Sequence, residues 1–103
     1  MTEKFIKRPG TSLVVAVDFS RVLNRGETVS ASNARGNLGV VATDSLGANV
    51  SSTLLEGTPW VVFGTRVAFW LREGTAGAFY QLTITAPTSD GELIVDQVTL
   101  EVL

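Results

Sequence analysis

Residues 78–86 read Ala78-Phe79-Tyr80-Gln81-Leu82-Thr83-Ile84-Thr85-Ala86. Tyr80, Leu82 and Ile84 alternate with Gln81, Thr83 and Thr85. An extended chain places them on opposite sides, one apolar and one polar. That is the signature of a strand with one face on a core and the other in water, as in antiparallel sheet. The same period recurs on either side. Leu13, Val15, Val17 and Phe19 share one face of Leu13–Phe19, against Val14, Ala16 and Asp18. Val29 and Ala31 alternate with Thr28, Ser30 and Ser32 in Glu27–Asn33, and Val40 and Ala42 share a face of Leu38–Thr43. Trp60–Phe63 is apolar throughout and follows Pro59, and Thr65–Leu71 groups Val67, Phe69 and Leu71. Glu92–Leu103 aligns Ile94, Val98, Leu100 and Val102. Helical spacing is nearly absent. Val50 and Leu54 would share a helical face in Ala48–Leu55, but that segment is short and carries a β-branched residue, so it reads as strand or loop.

Between these runs lie turn residues: Asn24-Arg25-Gly26, Arg35-Gly36-Asn37, Asp44 to Gly47, Glu56-Gly57-Thr58-Pro59, Glu73-Gly74-Thr75-Ala76-Gly77 and Pro87-Thr88-Ser89-Asp90-Gly91. Glycine admits positive φ, Asn and Asp tolerate it, and Pro stops a ladder. About seven short strands in about 100 residues predict an all-β sandwich, with a small barrel as the competing closure. Tyr80 opens the penultimate strand, and Leu82 stands two residues later, where immunoglobulin domains carry their second disulfide cysteine. That spacing suits a tyrosine corner and hence an Ig-like antiparallel β-sandwich. Residues 1–10 are expected to be an N-terminal arm and residues 11–103 the single sandwich domain.

The chain has 103 residues, 45% hydrophobic and only 17% charged, which excludes a disordered protein. It contains no Cys and no His, which excludes disulfides, thiolate and imidazole ligands and the usual general base. The only lysines, Lys4 and Lys7, fall in the expected arm, and no nucleophile-elbow, dinucleotide or P-loop motif is present. Asp90, Glu92 and Asp96 read as a solvated turn rather than a calcium site. Asn49-Val50-Ser51 is a formal glycosylation sequon that means nothing without secretion. The start of the chain lacks the apolar run of a signal peptide, and no stretch is long enough to span a bilayer, so synthesis in a cytoplasm is expected. These readings predict a non-enzyme without cofactor or metal.

The net charge of −2 is unevenly spread. Residues 1–35 hold six basic groups against three acidic ones, while residues 73–103 hold five acidic groups and no basic one. The total is too small and too acidic for nucleic-acid binding, but a basic arm of Lys4, Lys7 and Arg8 suits docking on an acidic neighbour. The two tryptophans are the other candidate contacts. Adjacent strand residues point oppositely, so a buried Phe69 sends Trp70 outward, and Trp60 or Trp70 becomes an interface anchor or a sugar platform.

The landmarks in order are Arg8-Pro9, Asp18-Phe19-Ser20, Gly26-Glu27-Thr28-Val29-Ser30, Gly74 and Gly77 before Tyr80-Gln81-Leu82-Thr83, and Thr88-Ser89-Asp90-Gly91. This set resembles small virion proteins of tailed bacteriophages, the fibre–tail adaptor and head–neck structural proteins. Two departures occur: Glu73 replaces the first residue of that family's double glycine, and Glu92 replaces its Arg after Gly91. The resemblance implies a virion structural protein, an adaptor in tail, neck or head. It would dock other virion proteins in a symmetric assembly after synthesis in the host cytoplasm, without nucleic-acid or membrane contact. A carbohydrate- or host-surface-binding module and a capsid decoration protein are the alternatives.

Overall fold

The computed structural model describes residues 3–103. The strand alternation read above builds two facing sheets. Strand β1 spans Glu3–Lys7, β2 Leu13–Asp18, β3 Ser32–Asn33, β4 Gly36–Asn37 and β5 Gly39–Asp44. A single helical turn, α1 (Ser51–Leu54), leads into β6 (Leu55–Val62), followed by β7 (Arg66–Leu71), β8 (Phe79–Pro87) and β9 (Leu93–Val102). One sheet has the order β1-β9-β8-β5, the other β2-β7-β6, and β3-β4 is a separate small hairpin. All ladders are antiparallel except β1–β9. This is an Ig-like β-sandwich.

The core forms where the inward residues of both sheets meet. Val15, Val17 and Phe19 from the β2 segment, with Val67, Phe69 and Leu71 from β7, pack against Tyr80, Leu82, Ile84, Val98, Leu100 and Val102. Leu82 is fully buried at the position read as equivalent to an immunoglobulin cysteine, so apolar packing occupies what a disulfide would otherwise bridge. Tyr80 is buried, and its hydroxyl accepts the Thr75 N–H at 3.0 Å, tying the β7–β8 turn back onto the strand. That turn carries Glu73 at φ 54° and Gly74 at φ 100°. A Cβ on Gly74 would come within 2.8 Å of Val102 Cγ2, so the close approach needs glycine. Glu73, standing where the resembling family has glycine, adopts the left-handed conformation with a side chain.

Three readings need correction. The expected arm, residues 1–10, instead supplies β1, the strand that pairs in parallel with the C-terminal half of β9, from Glu3 opposite Val98 to Lys7 opposite Val102. Residues 1–2 lie outside the described residues. The Glu27–Asn33 segment is not a continuous strand. Val29 forms an isolated bridge to Thr88 and donates to Gly64 O at 2.8 Å, and only Ser32–Asn33 pairs further. Its backbone is satisfied by loops, so no ladder is required of it. The 48–55 segment is neither strand nor loop throughout. Asn49 Oδ1 accepts the Ser51 N–H at 3.0 Å at the start of α1, and Arg72 Nη2 donates to Ser52 O at 2.8 Å.

Candidate docking face

The outer sides of the two sheets differ. On the four-stranded sheet, Thr99, Gln81 and Thr43 form one outward row, and Gln97 and Thr83 lie in the next with Val41. Gln81 Nε2 donates to Gln97 Oε1 at 2.8 Å, but Ile6, Phe79, Val41 and Val95 are exposed on the same side, so this face mixes polar and apolar groups. The three-stranded sheet carries both tryptophans. Ala16, Ala68 and Trp60 lie in one cross-strand row, and Val14, Trp70 and Glu56 in the next. Trp60 is 39% exposed, Trp70 40% and Val14 42%, while Ala68 between them is buried. Asp18, Arg66 and Val62 close one end of the patch, with Arg66 Nε 3.8 Å from Asp18 Oδ2.

Two features position the indoles. Phe69 is buried, so its neighbour Trp70 faces outward. Trp60 follows a register shift between Glu56 and Trp60, a bulge containing Gly57 and Pro59, which returns the chain to register with Trp60 opposite Ala68. The alternation of β2 and β7 foreshadowed Val14 and Trp70. The bulge hid the placement of Trp60, and nothing local in the sequence signalled that Ala16 and Ala68 join the two indoles into one patch. The β6–β7 turn, just beyond this face, holds Phe63 at φ 53° and 88% exposed, a side chain the sequence did not single out.

The basic candidates are not gathered there. Lys4 pairs with Glu101 at 2.6 Å and lies 5.7 Å from the Phe79 ring centroid. Lys7 is 2% exposed, so it cannot reach a neighbour. Its Nζ donates to Arg8 O at 3.0 Å and to Glu73 O. Burial lowers the Lys7 pKa, and the Glu73 carboxylate offsets part of this. Arg8 is exposed next to Lys7. The split of charge along the chain is thus partly closed within the molecule, because β1 and β9 bring Lys4 to Glu101.

The acidic groups are engaged as well. Asp18 Oδ1 accepts the Ser20 N–H at 2.9 Å, and that bond, helped by Arg66 and Arg21, holds its carboxyl below the usual range. Glu27 is buried. The Thr88 hydroxyl and the Asn24 N–H, the latter at 2.8 Å from Oε1, lower its pKa, although Oε2 has no bond of standard geometry among the described residues. An open cleft of about 420 Å³ lies between Asp18–Val22 and Ile94–Asp96, and its polar side chains are Asp18, Ser20, Arg21 and Asp96.

Both sheet faces carry exposed apolar residues, and both indoles stand on the outer side of β2-β7-β6. Comparison supplies the family. Residues 7–101 match the sequence model of Gp77, described as podophage GP4 fiber-tail adaptor protein gp77, and the chain belongs to that family. It is therefore a structural component of a phage virion, as the resemblance implied. No curated protein sequence matches it. Among solved structures, CopC from Methylosinus trichosporium OB3b is similar in fold, with TM-score 0.63 and 14% identity over 98% of this chain and 82% of that one. Murine CRIg overlays at TM-score 0.49 and 13% identity, over 98% of this chain and 92% of its own.

Proposed function

We propose that this chain is a non-catalytic adaptor that docks neighbouring virion proteins through the outer face of β2-β7-β6, with Trp60 and Trp70 as the anchors. The single observation that carries this is the pair of half-exposed indoles on one apolar sheet face in a chain of this family. Aromatic anchors surrounded by less energetic contacts dominate protein interfaces. At about 250 Å² per Trp, the two side chains leave roughly 200 Å² uncovered, worth a gross ~5 kcal/mol on burial before the costs of association. Its partners are other virion proteins arranged symmetrically, with neither nucleic acid nor membrane involved. The chain is made in the host cytoplasm and works without cofactor or metal.

The test is incorporation of Trp60→Ala, Trp70→Ala and the double variant into particles. We expect normal strand content by circular dichroism with at least a tenfold loss of incorporation for the double variant. Incorporation at the wild-type level would refute the face. The same indoles would also serve as a sugar platform, and quenching of tryptophan fluorescence by host glycans, with incorporation unchanged, would favour that reading instead.

A further inference from the structure

Every sandwich that is not a closed barrel has edge strands with unpaired backbone groups, and stable monomers guard them. Three edges of this molecule are guarded. Along β5, Val50 N–H donates to Ala42 O at 2.8 Å, Ala42 N–H to Ser51 Oγ at 2.9 Å and Asp44 N–H to Ala48 O at 3.0 Å, so a neighbouring segment covers the edge. The β6 edge is broken by the Glu56–Trp60 register shift and carries Pro59. The β1 edge is five residues long, bears the charged Lys4 and runs into Pro9.

The edge of β2 has none of these devices. Its six residues, Leu-Val-Val-Ala-Val-Asp, contain no Pro, no Lys and no bulge, and they lie in unbroken register with β7. Phe19 N–H donates to Thr65 O at 2.8 Å, continuing the same register. Hydrogen-bond direction alternates along a strand, so Leu13, Val15 and Val17 also face β7. The N–H and C=O groups of Val14, Ala16 and Asp18 therefore face away from it, and among the described residues no backbone group pairs with them. The side chains fit this picture. Leu13 is 37% exposed although it lies on the inward-facing side of β2, and Val14 and Ala16 expose apolar surface on the other side.

We infer that β2 pairs antiparallel with β2 of a second copy about a two-fold axis, making one continuous six-stranded sheet. The outward-facing backbone groups fix the parity, and the side chains choose the register. Val14 lies opposite Ala16 of the second copy, Val15 opposite its own equivalent, Leu13 opposite Val17, and Asp18 opposite Ser12. Every inward and outward apolar residue then meets another, and the strand's single charge meets a hydroxyl. The two Asp18 carboxylates sit at opposite ends, so no like charges meet. The Trp60–Trp70 patch borders this edge through Val14 and Ala16, so strand pairing extends that face sideways and does not cover its outer side.

Two measurements on the intact chain test the pairing. Sedimentation should show the mass doubling from 10.9 kDa as concentration rises. Hydrogen exchange should show the Val14, Ala16 and Asp18 amides slowing at least tenfold with dimer formation, while Leu13, Val15 and Val17 stay protected at every concentration. Ala16→Lys should return the mass to monomer with unchanged circular dichroism. A monomer up to millimolar concentration would overturn the inference. So would a dimer in which the three amides exchange as fast as in dilute solution, or protection that appears only when another virion protein is added.

Discussion

Replacing Lys7 by Ala and by Met separates what a buried lysine contributes. The side chain, at the end of β1, is almost wholly buried, and its ammonium donates to two backbone carbonyls, of Arg8 and of Glu73 in the β7–β8 turn. Alanine removes three methylenes beyond Cβ, about 2.4 kcal/mol at ~0.8 kcal/mol each. It also leaves the Glu73 carbonyl without this donor, while Arg8 O keeps the Thr11 hydroxyl at 2.8 Å, a further ~1–3 kcal/mol for one buried unsatisfied group. Regained side-chain entropy returns up to ~2 kcal/mol. The expected cost is therefore about 2–3 kcal/mol. Methionine keeps the length of the stem and loses only the donor, so it should cost about 1–2 kcal/mol. At 4–8 °C per kcal/mol for a domain of this size, the Ala variant should melt roughly 10–20 °C lower. Urea denaturation of both variants checks the order wild type, Met, Ala. An Ala variant within about 0.5 kcal/mol of wild type, the range of ordinary surface substitutions, would refute the buried position of Lys7 and with it the docking of β1.

Tyr80→Phe should cost ~1 kcal/mol, the loss of the bond from Thr75 N–H, and no change in melting temperature would remove the tyrosine corner as a stabilising element. Acid should destabilise the fold through Asp18 and Glu27. Both have folded pKa values below their ordinary 3.8 and 4.5, so the native state binds fewer protons than the unfolded one. The stability they supply is complete above those ordinary values and is lost as pH falls through the lower folded values. Urea midpoints measured between pH 6 and pH 2.5 should fall with a slope that Asp18→Asn and Glu27→Gln together reduce. An unchanged slope in the double variant would contradict the assignment.

The sandwich was legible where each strand buries one face. The apolar period matches the burial in β8 from Phe79 to Ala86, in β2 except at the exposed Leu13, in β7 except at the buried Ala68, and in β9 from Val98 to Val102. It failed where the deciding partner is remote. Lys4-Phe5-Ile6-Lys7 reads as a charged tail, because the carbonyl that accepts Lys7 belongs to Glu73, 66 residues away. Glu27–Asn33 has a strand's pattern, yet its backbone bonds are taken one at a time, by Gly64 O, by Pro87 O and by the Ser89 N–H. The α1 turn depends on the Asn49 side chain and on Arg72 reaching back from beyond β7. The candidate face was half legible. Trp70 follows from the burial of Phe69, but Trp60 gains its place from a bulge, and an exposed Val14 looks like any other strand residue until its cross-strand neighbours are known.

The first and last strands lie side by side and run in the same direction, Glu3 beside Val98 and Lys7 beside Val102. Tension applied through the chain leading into β1 and the chain leaving β9 draws the two strands past each other along their length. The backbone bonds between them are then loaded together in shear rather than peeled apart in succession. In a virion component, that arrangement favours mechanical toughness along the polypeptide.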